Sequence, residues 1–154
     1  MFSSILVTTD LTNRCDARVA SAAALAQATG ARLHAVHVPH GEAHGRGERR
    51  LARQLARVVP ATVRVASQRV MSSAPENAIA EAAARVNADL IVLGPAGAAT
   101  WADRLFGTTG DRVLRALNVP VLVLREPLAL PLRRAAVALG PDGTGRGPTE
   151  WALR

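Results

Sequence analysis

The sequence predicts an open α/β fold with a mainly parallel sheet. Short apolar, β-branched runs alternate along the chain with segments whose apolar residues recur at helical spacing. The composition agrees. Of the 154 residues, 49% are hydrophobic but only 3% are aromatic, so the core must be built largely from Ala, Val and Leu. Strands alternating with helices imply βαβ crossovers, and this length suits one domain able to bury its own core.

The elements follow in order. Ile5 to Thr9 is a β-rich run that ends at Asp10 and reads as a buried strand. Thr12 or Asn13 can cap a helix running to about Thr29, with Val19, Ala22, Ala23 and Ala26 at helical spacing and Gly30 as its stop. Arg32 to Val38 is a second strand, and Pro39 to Gly47 a loop rich in Gly and His. Glu48 to Val59 reads as a helix with Leu51, Leu55 and Val58 on one face. Thr62 to Val70 alternates and reads as a third, half-exposed strand. Ser73, Pro75 and Glu76 form a capping box around a first-turn proline, opening a helix to about Asn87. Leu90 to Leu93 is a fourth, fully buried strand. After a glycine-rich loop, a helix spans Thr108 to Leu117 and a fifth strand spans Pro120 to Leu124.

The glycine-rich loop carries the chemistry. The fourth strand ends at Gly94; Gly97 follows, and Gly107 then meets Thr108 and Thr109 where a helix begins. Glycines let backbone N–H groups approach an anion, hydroxyls add donors, and a helix N-terminus adds unpaired N–H groups and a favourable dipole. The pattern suits a phosphate. It is neither Walker A, since the chain has no lysine, nor the Rossmann G-x-G-x-x-G. In an open sheet, ligands bind at the carboxyl ends of strands where the winding reverses. Asp10 and Gly94 both occupy carboxyl ends, so they flank that crevice if the first and fourth strands are neighbours.

Other classes find little support. No apolar run reaches the roughly 18 residues of a membrane span, and Met1-Phe2-Ser3-Ser4 lacks the basic start of a signal peptide, so a cytoplasmic location is expected. The single Cys15 excludes an intrachain disulfide and a cysteine-built metal site. It lies early in the first helix, where a dipole can lower a thiol pKa, although a small buried core residue is the simpler reading. The net charge of +7 comes with 19 basic residues that are all Arg and scattered along the chain, without a nucleic-acid-binding motif. His34 and His37, three apart, fall on opposite faces of a strand. His40 and His44 lie in the Gly-rich loop, and solvated loop histidines are expected rather than metal ligands. Trp101 either covers a ligand or fills a subunit contact.

Taken together, Ile5-Leu6-Val7-Thr8-Thr9-Asp10, the Ala-rich first helix, His37-Val38, Asp89-Leu90-Ile91-Val92-Leu93-Gly94, the spacing Gly94-x2-Gly97-x9-Gly107-Thr108, and Asp111-Arg112-Val113-Leu114 leading into Val119-Pro120-Val121-Leu122-Val123 resemble the universal stress protein family over residues 4–125. The resemblance implies a five-stranded parallel sheet ordered 3-2-1-4-5 with helices on both faces, like the adenine nucleotide α-hydrolases, and a homodimer through the fifth strand (Val119–Leu124). The glycine spacing is similar to that of the family's ATP-binding branch. The resemblance then implies ATP or another adenine nucleotide as ligand, with or without Mg²⁺. Asp10 would lie near the adenosine, with Thr8 and Thr9 on the same wall, and Val38 would meet adenine through its backbone. Leu93, Gly94, Ala96, Gly97 and Gly107 would shape the loop around ribose and phosphates. Thr108 would donate its hydroxyl and N–H, and Thr109 its N–H. No catalytic residue is implied.

Two positions depart from the family pattern. Pro95 removes an N–H donor, and Gly110 replaces a small hydroxyl residue or Ala. Both weaken the phosphate end more than the adenosine end. Arg104 and Arg112 are near enough in sequence to reach phosphates, but no general base is evident, so at most slow, incidental ATP hydrolysis is expected. The alternative is a degraded pocket on a domain that acts only in protein interaction or dimerisation. Residues 1–125 read as the domain and 126–154 as an extension. In that extension, 134–139 reads as a strand, Gly140 to Gly147 as a turn and 148–154 as a helix start. This order resembles the opening of a second such domain, as in a tandem-domain protein. Its strand would extend the sheet, cross to a partner chain, or belong to a tail that packs on the surface or frays.

Overall fold

The structure, a computed structural model, describes residues 2–38, 46–69, 75–93, 119–124 and 126–131. The described elements are β1 (Ser4–Thr9), a 3₁₀ turn (Asn13–Cys15), α1 (Asp16–Thr29), β2 (Arg32–His37), α2 (Arg46–Val58), β3 (Val65–Arg69), α3 (Pro75–Arg85), β4 (Leu90–Leu93) and β5 (Val121–Val123). The predicted helix Thr108–Leu117, the capping residue Ser73, His40, His44, Trp101, Arg104, Arg112 and the tail 134–154 lie outside the described residues.

Several boundaries differ from the sequence reading. Thr12 precedes the 3₁₀ turn in an extended conformation and its side chain makes no cap, because its hydroxyl is spent on Asp10. Gly47 is helical rather than in a loop, since α2 begins at Arg46. Residues 60–63 form a turn that ties Val63 N–H to the Pro60 carbonyl, and β3 starts only at Val65.

The described sheet is parallel, in the order β3-β2-β1-β4-β5. Ile5 pairs with Leu33 on one side and Leu90 on the other. The alternation of side chains along each strand sorts the core into two layers. Ile5, Val7, Leu33, Ala35, Leu90 and Val92 pack with Val19, Ala22, Ala23 and Ala26 of α1 and with Leu51 and Leu55 of α2. On the opposite face Leu6, Val36, Ile91 and Leu93 pack with Ala78, Ile79, Ala82 and Ala83 of α3. Helices therefore cover both faces. This is why β1 and β4 read as unbroken apolar runs: Ile5, Leu6 and Val7 are all fully buried, each contributing about 1.5–3 kcal/mol.

The helix ends use local chemistry. Gly30 sits in the left-handed region at φ 71°, its N–H on the Gln27 carbonyl and the next N–H on Ala26. Asn87 does the same after α3 at φ 48°, with Ala88 N–H on the Ala83 carbonyl. Both are Schellman stops, and the residue after each one packs back into the core.

At the amino end of the sheet, the Asp89 carboxylate accepts from Ser3 N–H and Oγ, both at 2.7 Å, and from Ser4 N–H at 3.0 Å, tying the start of β1 to that of β4. Beyond β5 the chain runs back over α1: Leu128 N–H donates to Ser21 Oγ at 2.9 Å and its side chain packs on the core. The basic residues are not all scattered. Arg46, Arg49, Arg50, Arg53 and Arg57, spaced along one face of α2, are all exposed. Among the described residues no helix is long and apolar enough to cross a membrane.

Candidate functional site at the carboxyl ends of strands β1 and β4

The strand order brings the first and fourth strands together. From β1 the chain winds to β2 and β3 on one side; α3 then returns it to β4 on the other. Helices change face at that step, so the winding reverses between β1 and β4. The carboxyl ends of these two strands, Thr9 followed by Asp10 and Leu93, border the crevice that such a reversal opens. Thr9 pairs with His37 at the end of β2, so Val38 completes the other side of Asp10.

Asp10 is exposed and well anchored. Its Oδ1 accepts three hydrogen bonds: from Thr12 N–H at 2.8 Å, Thr12 Oγ1 at 2.6 Å and Cys15 Sγ at 2.9 Å. The first is an Asx turn, which an aspartate makes readily two residues ahead of an N–H. Its Oδ2 makes no hydrogen bond among the described residues. Burial pushes the Asp10 carboxyl up, but the Cys15 thiol, the Thr12 hydroxyl and N–H and the nearby Arg18 guanidinium outweigh it, holding the group below its ordinary 3.8. The result is a fixed carboxylate with one oxygen held and the other able to accept from a hydroxyl or an amine.

The neighbouring backbone is strained. Leu11 has φ 63°, which for a non-glycine residue costs about 1 kcal/mol. Its N–H donates to Thr9 Oγ1 at 3.0 Å, and its side chain is buried with α1 and the sheet. Strain of this kind persists where surroundings over-determine it, and it clusters at binding sites.

Thr8 and Thr9 lie on opposite faces of β1, as adjacent strand residues must. Thr9 is 5% exposed and its hydroxyl donates to Gln54 Oε1 at 2.8 Å; its carbonyl faces His37 Nδ1 at 3.0 Å. The Thr8 carbonyl accepts from Arg18 Nη1 at 3.2 Å, which brings a positive charge beside Asp10. Val38 is half-buried against the α3 layer, and Leu93 is 3% exposed in the same layer. Gly94, Ala96, Gly97, Gly107, Thr108 and Thr109 lie outside the described residues.

Cys15 is the small buried residue of the simpler reading, 1% exposed. Burial pushes its thiol above the ordinary 9.0, and the Asp10 carboxylate that accepts its hydrogen adds to this, while a backbone contact to Asp10 and the Arg18 charge oppose it. His34 and His37 lie on opposite faces of β2, as their spacing predicts, and both are buried. No group of three or more His, Cys, Asp or Glu fit for a metal occurs among the described residues.

Sequence reasoning missed Gln54, Cys15 as a donor, and Arg18. For Gln54 a signal existed. Leu51, Gln54, Leu55 and Val58 follow helical spacing, so a polar residue stands within the buried stripe of α2.

The comparisons with known proteins decide the family. The profile of the universal stress protein family matches residues 1–125. The chain belongs to the universal stress protein family. Solved members share its fold. A universal stress protein in complex with cAMP is 27% identical, with a TM-score of 0.64 over 80% of this chain and 97% of that one. A universal stress protein family member from Burkholderia pseudomallei is 26% identical, with a TM-score of 0.60 over 82% and 96%. The Archaeoglobus fulgidus protein in complex with dAMP, 21% identical with a TM-score of 0.59 over 80% and 98%, shares the fold. Comparison with curated protein sequences returned no match.

Proposed function

We propose that this universal stress protein binds an adenine nucleotide, ATP or a shorter relative, at the carboxyl ends of β1 and β4, as a stress-response or signalling module without dedicated catalysis. The observation that carries the reading is the Asp10 carboxylate at the point of reversed winding, with Oδ1 held by three donors and Oδ2, unbonded among the described residues, placed to accept from a ribose hydroxyl or an adenine amine. The solved relative that holds cAMP supports it. The phosphate end is assigned to Gly94, Ala96, Gly97, Gly107, Thr108 and Thr109, whose spacing suits an anion at a helix N-terminus. Pro95 and Gly110 make the adenosine end the stronger half. Hydrolysis, if any, is slow and incidental.

Calorimetric titration with ATP, ADP and AMP, with and without Mg²⁺, tests the reading. Binding of at least one nucleotide supports it. No heat and no thermal shift at millimolar nucleotide overturns it in favour of a domain used only for protein interaction. Gly107→Val should abolish binding by obstructing the phosphate approach; retained affinity would refute that half of the site.

The homodimer proposed here uses β5. It lies at one end of the described sheet, with Val123 39% exposed, and an edge of this kind invites pairing. Size-exclusion of the chain shortened to end at Arg125 distinguishes β5 from the tail: an unchanged dimer excludes an exchanged tail strand.

A further inference from the structure

Gln54 lies on α2, far from Asp10 in sequence, and is 3% exposed. Every hydrogen-bonding function of its amide is directed at the segment around Asp10. Oε1 accepts from Thr9 Oγ1 at 2.8 Å. Nε2 donates to the Thr12 carbonyl at 3.2 Å and to Asp16 Oδ1 at 2.8 Å. Arg57, one turn on, bonds the same Asp16 carboxylate at 2.9 Å. Thr9 Oγ1 in turn accepts the N–H of the strained Leu11.

The chain is thus gripped on both sides of Asp10, at Thr9 before it and at Thr12 and Asp16 after it. Packing alone does not require an amide here, because Leu51 and Leu55 flank the position and a leucine would continue their stripe. A fully satisfied buried polar network specifies one conformation, whereas an apolar replacement would leave the Thr9 hydroxyl without its acceptor.

We infer that Gln54 is a positioning residue: through Thr9, Thr12 and Asp16 it holds the β1–α1 segment in the shape that presents the Asp10 carboxylate to the ligand. Its consequence for affinity rests on the proposed nucleotide site; the brace itself does not. In this arrangement α2 touches no nucleotide, yet sets the geometry of the adenosine end.

The test compares the full-length chain with Gln54→Leu, Gln54→Glu and Leu55→Ala, by amide hydrogen exchange without ligand and by calorimetry with AMP. Gln54→Leu should speed exchange at Leu11 and Thr12 by at least about tenfold while Val19 and Ala22 of α1 are unchanged. It should also weaken AMP binding by at least about tenfold. Leu55→Ala removes core contacts one residue away; it should lower the melting temperature yet keep AMP affinity within about twofold. Gln54→Glu supplies the signature that a packing role would not give. When ionised, the introduced carboxylate repels Asp16 and cannot donate to Thr12. When protonated, the same group regains one donor. Exchange rates of this variant at Leu11 and Thr12, corrected for intrinsic exchange, and its AMP affinity should therefore recover toward wild type at about pH 5 relative to about pH 8.

Exchange at Leu11 and Thr12 within about twofold of wild type in Gln54→Leu would overturn the inference. If Gln54→Leu fails to fold, the pH-dependent recovery of Gln54→Glu decides, and its absence is equally fatal. If the wild-type chain binds none of ATP, ADP and AMP, the nucleotide site falls, and the exchange data still decide whether Gln54 braces the segment.

Discussion

The Cys15 thiol donates to Asp10 Oδ1 at 2.9 Å, one of three bonds that hold the exposed carboxylate from behind. Cys15→Ala should raise the Asp10 pKa toward its ordinary 3.8 and cost about 1 kcal/mol of stability. Cys15→Ser keeps a donor and should do neither. Carboxyl titration by NMR and urea unfolding measure both effects. Because the thiol is 1% exposed and its pKa is raised, it should react with a disulfide reagent at least about tenfold more slowly in the folded chain than in urea. Equal rates would show that the bond to Asp10 does not persist in solution.

Stability should fall with acid in two steps. His34 is 7% exposed and its Nε2 has no hydrogen-bond partner among the described residues. Desolvation, reinforced by Arg32, lowers its pKa below 6.5. The unfolded chain then takes up a proton before the folded one does, so this stability is complete above 6.5 and is lost as pH falls through the folded value. For Asp10 and Asp89, burial raises the carboxyl, but the hydrogen bonds from Cys15 and Thr12 or from Ser3 and Ser4 prevail. Their folded pKa values are depressed, so their contribution is present above 3.8 and lost below it. Urea unfolding at stepped pH should show both declines. His34→Leu should flatten the first and leave the second; a first decline that survives the substitution has another source.

Gly30 and Asn87 hold equivalent left-handed stops after α1 and α3. A Cβ at Gly30 would meet nothing within 4 Å, so Gly30→Ala should cost only the backbone strain, about 1 kcal/mol. Asn87→Gly should be neutral or stabilising, whereas Asn87→Val should cost about 1–2 kcal/mol because a β-branched residue tolerates this region poorly. The midpoints of urea unfolding order the three variants.

Arg53 has Arg49 and Arg50 on the turn before it and Arg57 on the turn after, all on the exposed face of α2. Arg53→Glu exchanges three repulsive spacings for attractive ones and should stabilise the chain by about 1 kcal/mol at low salt. The gain should shrink in high salt as the charges are screened. Thermal unfolding at two ionic strengths checks this. A gain that does not change with salt would come from another source.

Much of the architecture was legible in single residues. The unbroken run Ile5-Leu6-Val7 announced burial on both faces, Gly30 marked the end of α1, and Asp10 marked the end of β1. The polar support around Asp10 was not legible. Gln54 and Thr9 are 45 residues apart, and α2 showed only a leucine stripe with an amide inside it. Thr12 reads as a helix cap, but the close approach of the Asp10 carboxylate takes its hydroxyl instead. His34 and His37 read as polar strand residues, and only the folded sheet shows that both are buried.

The sequence by itself determined the alternation of strands and helices, the helix stops and the family, because periodicity, turn chemistry and glycine spacing are properties of short segments. The glycine loop from Gly94 to Thr109 still speaks through its sequence alone. Only the tertiary structure decided that β1 lies beside β4, that Asp10 is held by Thr12 and Cys15, and that Gln54 grips the segment from the neighbouring helix. The physical reason is range. Apolar patterning acts over one or two turns, whereas a buried hydrogen bond forms only where packing brings a donor within about 3 Å of an acceptor from elsewhere in the chain.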